Sequence, residues 1–282
     1  MRRLVFAAVL ALLCRPPVAH AQGSGTLIVF AAASLTEAFT TLGQRYEKAH
    51  PGVRVAFDFA GSQQLAARLE QGAVADVFAS ADTRWMEFVK RKGLLTNDAQ
   101  RFARNQLVLI VPRTNPARLD RLQDLERPGV KLVLCSDAVP AGRYARQVLR
   151  NLSAGGLKGF SGDYPTHVLA NVVSEEENVR AVVGKVVLGE ADAGFVYRSD
   201  VTANSARYVK VIEIPSAANV VAEYPLAVLK DAPRPRDAQA FVDLVLSEEG
   251  QKILKSAGFL ARIQTSEPLS GIAVRVPVAD RR

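Results

Sequence analysis

Four places in this chain have residues that could hold an anion. Leu27–Glu37 reads Leu-Ile-Val-Phe-Ala-Ala-Ala-Ser-Leu-Thr-Glu, an apolar run of strand length that passes through three alanines to Ser34. Ser34-Leu35-Thr36-Glu37 has the S-x-x-E spacing of a capping box, so a helix is expected to start at Ser34, its first turn fixed by that hydroxyl. First-turn N–H groups have no acceptor within their helix, and the helix end behaves like roughly half a positive charge. Small residues beside such an end leave an open place that suits an anion. Similar helix starts follow strands at Gly61-Ser62, Ala141-Gly142 and Asn178-Val179. A single one would usually do no more than cap its helix; the recurrence makes a ligand site worth considering.

Catalytic chemistry is poorly provided for. There is no G-x-S-x-G, H-E-x-x-H or P-loop pattern. Of the three histidines, His20 lies in the leader described below, His50 sits in a helix stop, and His167 follows Pro165-Thr166 near a loop. Both later histidines read as structural. Cys135 closes Lys131-Leu-Val-Leu-Cys135 with no base near it in sequence, and reads as an inert buried thiol at a strand end.

The elements that would position these places alternate between strand and helix. After a first helix ending near Lys48, Val53–Phe59 has the strand period, and helical spacing of leucine and alanine follows Ser62 up to Gln71. Val77–Ala79 is a third strand; Asp82 is expected to cap the helix carrying Trp85, Met86 and Phe88, with Trp85 in the core. Leu107–Val111 and Val130–Cys135 read as strands around a short helix at Leu119–Leu125, and a helix is expected from about Arg143 to Asn151. Ser153–Gly162, with four glycines, reads as a loop, Val168–Val173 as a strand, and Ser174 as the start of an acidic helical turn before a helical period over Val179–Leu188. Ala193–Tyr197, Tyr208–Ile214 and Val220–Leu229 (interrupted by Pro225) are strands, and helices over Asp237–Leu246 and Glu248–Ala257 close the pattern. Repeated βα units of this kind give an α/β protein with largely parallel sheets, in which ligands lie beyond the carboxyl ends of the strands.

The N-terminus sets the compartment. Met1-Arg2-Arg3, the apolar Leu4–Leu13 and the small-x-small Ala19-His20-Ala21 form a secretory signal peptide, with cleavage expected before Gln22. Leu13 is too bulky before Cys14 for the usual lipidation site. Cleavage removes Arg2, Arg3 and Arg15 and no acids, leaving a net charge of +5 from the +8 of the whole chain. The charges are interspersed and form no basic block, so no nucleic-acid partner is expected. Cys135 is then the one remaining cysteine, and no internal disulfide can form.

Val29-Phe-Ala-Ala-Ala-Ser-Leu35, Ala75-Asp-Val-Phe-Ala-Ser-Ala-Asp82, Val139-Pro-Ala-Gly142 and Gly194-Phe-Val-Tyr197 resemble the signatures of the periplasmic molybdate-binding proteins of ABC transporters. The resemblance runs from about Thr26 to Phe259. It implies a two-lobed type II periplasmic-binding-protein fold, each lobe a largely parallel sheet flanked by helices, with the ligand in the cleft between lobes. On that reading residues 1–21 are the leader, 22–105 and 221–264 form a discontinuous first lobe, 106–220 the second, and 265–282 a tail. The crossings are expected near Asn105–Leu107 and Val220–Tyr224.

Carried over residue by residue, the resemblance implies that Ser34 and Ser62 each offer a hydroxyl and an N–H, that Ala141 and Val179 offer backbone N–H groups, and that Tyr197 offers its phenol. Tyr197 rests on the resemblance alone, since a tyrosine at a strand end usually packs. The implied ligand is molybdate, with tungstate, and the implied partner a membrane permease; no cofactor, no metal beyond the bound molybdenum, no enzyme activity and a monomer are expected. A receptor for tungstate specifically, or for sulfate or phosphate, is the alternative. An effector domain of a transcription factor would need a helix-turn-helix segment and a cytosolic start. The segment between the Ala141 and Val179 helices is longer here than in compact family members. Glu175-Glu176-Glu177 stands just before Val179, either as a carboxylate-rich first turn or as a source of a ligand to the anion's metal centre.

Overall fold

The computed structural model describes residues 25–262. The leader, its cleavage site, Cys14 and the tail from 265 onward lie outside the described residues. Two lobes meet along a long shared strand. In the first, β1 (Gly25–Ala32) pairs in parallel with β2 (Val53–Ala60) and β3 (Val77–Ala79), and β3 pairs antiparallel with β9 (Val221–Val228). In the second, β5 (Leu132–Cys135) pairs in parallel with β6 (Val172–Glu176) and β7 (Ala193–Tyr197). The joining strand is β4 (Gln100–Pro112). Its first half pairs antiparallel with β9, and from Leu107 onward it pairs antiparallel with β7 and with β8 (Val209–Ile212). The parallel pairs expected from the βα units are present, and antiparallel returns knit the lobes together.

Helices α1 (Thr36–Ala49), α2 (Ser62–Glu70), α3 (Thr83–Arg91), α7 (Pro235–Leu246) and α8 (Glu248–Ser256) cover the first lobe; α4 (Pro140–Ala154), α5 (Tyr164–Ala170) and α6 (Val179–Val187) cover the second. Phe39, Phe102 and Phe241 pack ring to ring between α1, β4 and α7. Buried Asp76 fastens the first lobe, accepting from the amides of Ile28 and Arg234 at 2.7 Å each. Asn219 clasps the change of strand partners, donating to the Leu107 carbonyl at 2.9 Å.

Several expectations are corrected. Ser34 caps no helix: Ala33–Leu35 form a 3-10 turn, α1 begins at Thr36, and its N-cap is Leu35 without a side-chain bond. The Ser34 hydroxyl is drawn instead to Tyr224, a partner remote in sequence. Helix α4 begins at Pro140, whose fixed φ and missing N–H suit a first helical position, so Ala141 and Gly142 lie inside the first turn. The expected short helix at Leu119–Leu125 is a 3-10 turn at Leu122–Glu126.

The run expected as strand Val168–Val173 is split. Tyr164–Ala170 is helical because Tyr164 and Val168 bury on one face, the Tyr164 hydroxyl donating to the Leu122 carbonyl at 2.6 Å. Strand β6 then runs through Ser174–Glu176, so no acidic helical turn exists there. Pro225 does not interrupt β9; a bulge at Arg101–Ala103 in β4 takes up the irregularity opposite it. The strand at β4 reaches back to Gln100, through a polar stretch without the strand alternation. Among the described residues no helix is long and apolar enough to cross a membrane.

Candidate functional site

The helix starts singled out in the sequence come together. Ala32, Ala33 and Ser34 after β1, Ala60, Gly61 and Ser62 after β2, Ala81 after β3, Val139–Ala141 after β5, Asn178 and Val179 after β6, and Tyr197 at the end of β7 line one cavity. Its volume, swept by the centre of a water-sized sphere, is about 10 Å3, room for one very small solute and not for a nucleotide or a sugar. No ionisable carboxylate, lysine or arginine is among these lining residues. Gly142 allows α4 to start this close to β5, since a Cβ there would stand 2.1 Å from the Ser136 carbonyl oxygen and 2.3 Å from that of Cys135.

Hydrogen bonds around the cavity turn its groups into donors. The Ala81 N–H donates to Ser62 Oγ at 3.0 Å, so one acceptor site of that hydroxyl is taken and its proton is free to point inward. Ser34 Oγ lies 3.0 Å from the Tyr224 hydroxyl. Asn105 Nδ2 donates to that hydroxyl at 3.5 Å and to Ser199 Oγ at 2.8 Å. Either hydroxyl can donate in the Ser34–Tyr224 bond; when Tyr224 donates, the Ser34 proton is left for the cavity. Burial, followed by the charge of Asp200, pushes the Tyr224 phenol well above its ordinary range, so it stays protonated.

The second lobe contributes differently. At α6, Asn178 Oδ1 accepts from the amides of Arg180 and Ala181 at 3.0 and 3.2 Å, and Val179, at the first helical position, faces the cavity. Ala141 is the second residue of α4, directly after Pro140, and lines the cavity as well. Tyr197 is buried, its ring edge-on to Tyr224 with centroids 5.7 Å apart. Its hydroxyl has no hydrogen-bond partner among the described residues. Burial is also the main cause holding that phenol far above its ordinary range, so it is a donor. The Tyr197 amide donates to Asp200 Oδ2 at 2.9 Å.

All five residues implied by the resemblance therefore line one space. Glu175, Glu176 and Glu177 do not line it: Glu175 pairs with Arg146, Glu176 pairs with Lys185, and the Glu177 carbonyl accepts from Gln63 Nε2 at 2.9 Å. Two residues that sequence reasoning missed are Tyr224 and Asn105, which orient Ser34 from β9 and β4. Their signal in the sequence is only that both lie where the chain was expected to cross between lobes. Trp85 packs half-buried against the first-lobe core beside Phe88, and its Nε1 also donates across to the Ala138 carbonyl at 2.9 Å. Asp82 does cap α3, accepting from the Trp85 amide at 2.9 Å, and also pairs with Arg143. Burial is the leading influence on the Asp82 carboxyl and raises it, against the Trp85 amide and Arg143.

The residues read as structural have structural settings. Cys135 is buried and its thiol is pushed up, chiefly by desolvation. His50 stacks on Tyr46, its Nδ1 2.9 Å from the Tyr46 carbonyl.

The family of bacterial extracellular solute-binding proteins matches residues 27–260. The chain belongs to that family. As a solute-binding protein it is a receptor and not an enzyme. The molybdate-binding protein of Mycobacterium tuberculosis is 41% identical to it over 243 residues, covering 86% of this chain and 87% of that one. The periplasmic molybdate-binding protein of Azotobacter vinelandii superposes with a TM-score of 0.72 at 22% identity, over 84% of this chain and all of that one. The sulfate-binding protein of Mycobacterium tuberculosis superposes with a TM-score of 0.73 at 17% identity, over 87% and 88% of the two chains. This solute-binding fold thus serves receptors named for different oxyanions, and the 41% identity is to one named for molybdate.

Proposed function

We propose that this chain is the periplasmic substrate-binding component of an ABC importer for molybdate, taking tungstate as well and handing the anion to a membrane permease. Ser34 and Ser62 bind it from one lobe through hydroxyl and N–H groups; Ala141, Val179 and Tyr197 bind it from the other. One observation carries this reading. A cavity with no charged side chain among its lining residues is ringed by donors, and a buried phenol in its wall has no acceptor among the described residues. A buried hydroxyl without a partner costs about 1–3 kcal/mol, and an oxyanion oxygen would remove that cost.

Neutral donors suit a receptor that must release its cargo. They recognise geometry and protonation state, because a group that can only donate meets a clash with an anion carrying its own proton. Each hydrogen bond to the charged anion contributes about 1.5–3 kcal/mol, offset by loss of the anion's hydration. We further propose lobes of residues 22–105 with 221–264 and of 106–220, hinged where β4 changes partners at Leu107, and a monomer without resident cofactor. Hinge closure of the lobes on the anion would complete the donor set and present the closed form to the permease.

The test is calorimetry and thermal unfolding of one purified sample with molybdate, tungstate, sulfate and phosphate. Molybdate and tungstate should raise the melting temperature clearly, and sulfate and phosphate little at equal concentration. Sulfate has the same shape and charge but is smaller, so it leaves buried donors short of an acceptor at about 1–3 kcal/mol each. Equal stabilisation by sulfate would make this a general oxyanion receptor.

A further inference from the structure

Gly61 is the N-cap of α2, with φ −62° and ψ 141°, a conformation open to any residue. Nothing in its own backbone calls for glycine. The reason for glycine lies across the cleft: a Cβ at position 61 would stand 2.5 Å from the carbonyl oxygen of Glu177, closer than real Cβ atoms come to anything. Glu177 precedes Asn178, the cap of α6, so the contact joins the helix starts that carry Ser62 and Val179. Two residues on, Gln63 Nε2 donates to that same Glu177 carbonyl at 2.9 Å. The other contacts across the cleft, Arg180 with Glu37, Arg143 with Asp82 and the Trp85 indole with Ala138, all involve side chains that can turn aside. Among the described glycines, position 61 is the one where an added Cβ would come within 3.0 Å of main chain in the other lobe, which rotation of a side chain cannot relieve.

We infer that Gly61 is a positioning residue that sets how far the lobes close, its missing side chain admitting the Glu177 carbonyl so that Gln63 can clasp it. This rests on the reading of the protein as a two-lobed clamp for an oxyanion. A methyl group at position 61 would act as a wedge, holding Ala141, Val179 and Tyr197 away from Ser34 and Ser62. Alanine fits this φ and ψ and restricts the unfolded chain more than glycine does, which offsets its poorer fit at a helix N-cap. A receptor whose closed form is depopulated loses affinity by the fraction lost.

A Cβ at 61 would also stand 2.4 Å from both amide atoms of Gln63, so the test must separate a clash within α2 from one between lobes. Wild type, Gly61→Ala and the double variant Gly61→Ala/Gln63→Ala are titrated with sodium molybdate, with dissociation rates, apo melting temperatures and fluorescence recorded. Trp85 is the single tryptophan of the chain, and its indole bridges the lobes, so its emission reports their contact with or without ligand. Gly61→Ala should bind roughly tenfold more weakly or worse, mainly through faster dissociation, with an apo melting temperature close to wild type and red-shifted Trp85 emission. The double variant should not recover. Wild-type affinity and emission in Gly61→Ala, or recovery in the double variant, would overturn the inference. A wild type that ignores molybdate counts against the functional reading, while Trp85 emission without ligand still decides the role of Gly61.

Discussion

The two walls of the cavity are built on different principles. On the first-lobe wall the donors are serine hydroxyls, each held by a neighbour: Ser62 by the Ala81 amide and Ser34 by Tyr224 with Asn105 behind it. On the second-lobe wall the two helix starts place backbone groups at Ala141 and Val179, and the side-chain donor Tyr197 has no acceptor among the described residues. Each first-lobe hydroxyl thus has one partner before any ligand arrives, while the Tyr197 hydroxyl has none among the described residues, a demand that an anion would fill. A receptor made this way can hold its fold without cargo and still gain from closing on it, because the missing acceptor is supplied only by the ligand.

The largest effect should come from the first-lobe wall. Replacing both serines, Ser34→Ala with Ser62→Ala, removes two oriented donors at about 1.5–3 kcal/mol each, so molybdate affinity should fall about a hundredfold or more by calorimetry. Since Ser34 caps no helix, its share of the stability loss should be confined to the bond with Tyr224, about 1 kcal/mol. Unchanged affinity in the double variant would remove the first lobe from the site.

The second-lobe wall should respond in opposite directions with and without ligand. Tyr197→Phe deletes a buried hydroxyl that has no partner, so the apo protein should gain about 1 kcal/mol in chemical denaturation. The same change removes a donor to the anion, and binding should weaken by about 1.5–3 kcal/mol. A variant that loses apo stability would show the phenol already satisfied, and the contrast between the walls would disappear.

A smaller effect concerns the support beneath Tyr197. Burial lifts the Asp200 carboxyl to about 7, with the Tyr197 amide and then Arg180 opposing the rise and Glu37 adding to it. The unfolded chain releases this proton near its ordinary value of 3.8, whereas the folded chain keeps it to about 7. Stability should therefore fall as pH rises through that interval, since the unfolded state binds fewer protons there. Asp200→Asn keeps an acceptor for the Tyr197 amide and cannot ionise, so its advantage over wild type should grow by about 1 kcal/mol or more between pH 5 and pH 8. A constant difference across that range would place the Asp200 titration elsewhere.

Local patterns were enough to find much of this protein. Strand runs ending in small residues, followed by helical spacing, located Ser34, Ser62, Ala141 and Val179 at helix or turn starts, because side-chain periodicity and the chemistry of chain reversal act within a few residues. The limits of β3 and β7 were legible for the same reason. Tyr197 came only from a resemblance of short motifs, since a tyrosine at a strand end looks the same whether it packs or donates. Tertiary structure alone decided what lies far apart in sequence. Tyr224 took the Ser34 hydroxyl away from its expected cap across 190 residues, Tyr164 and Val168 found a buried face that turned an apparent strand into α5, and Trp85, packed at the edge of the core, also bridges the lobes. The first half of β4 carries polar residues and no alternation; it is a strand because β9 supplies its partners. In each case a hydrogen-bonding group or an apolar face was satisfied by a partner remote in sequence, and no local pattern records which remote partner will be within reach.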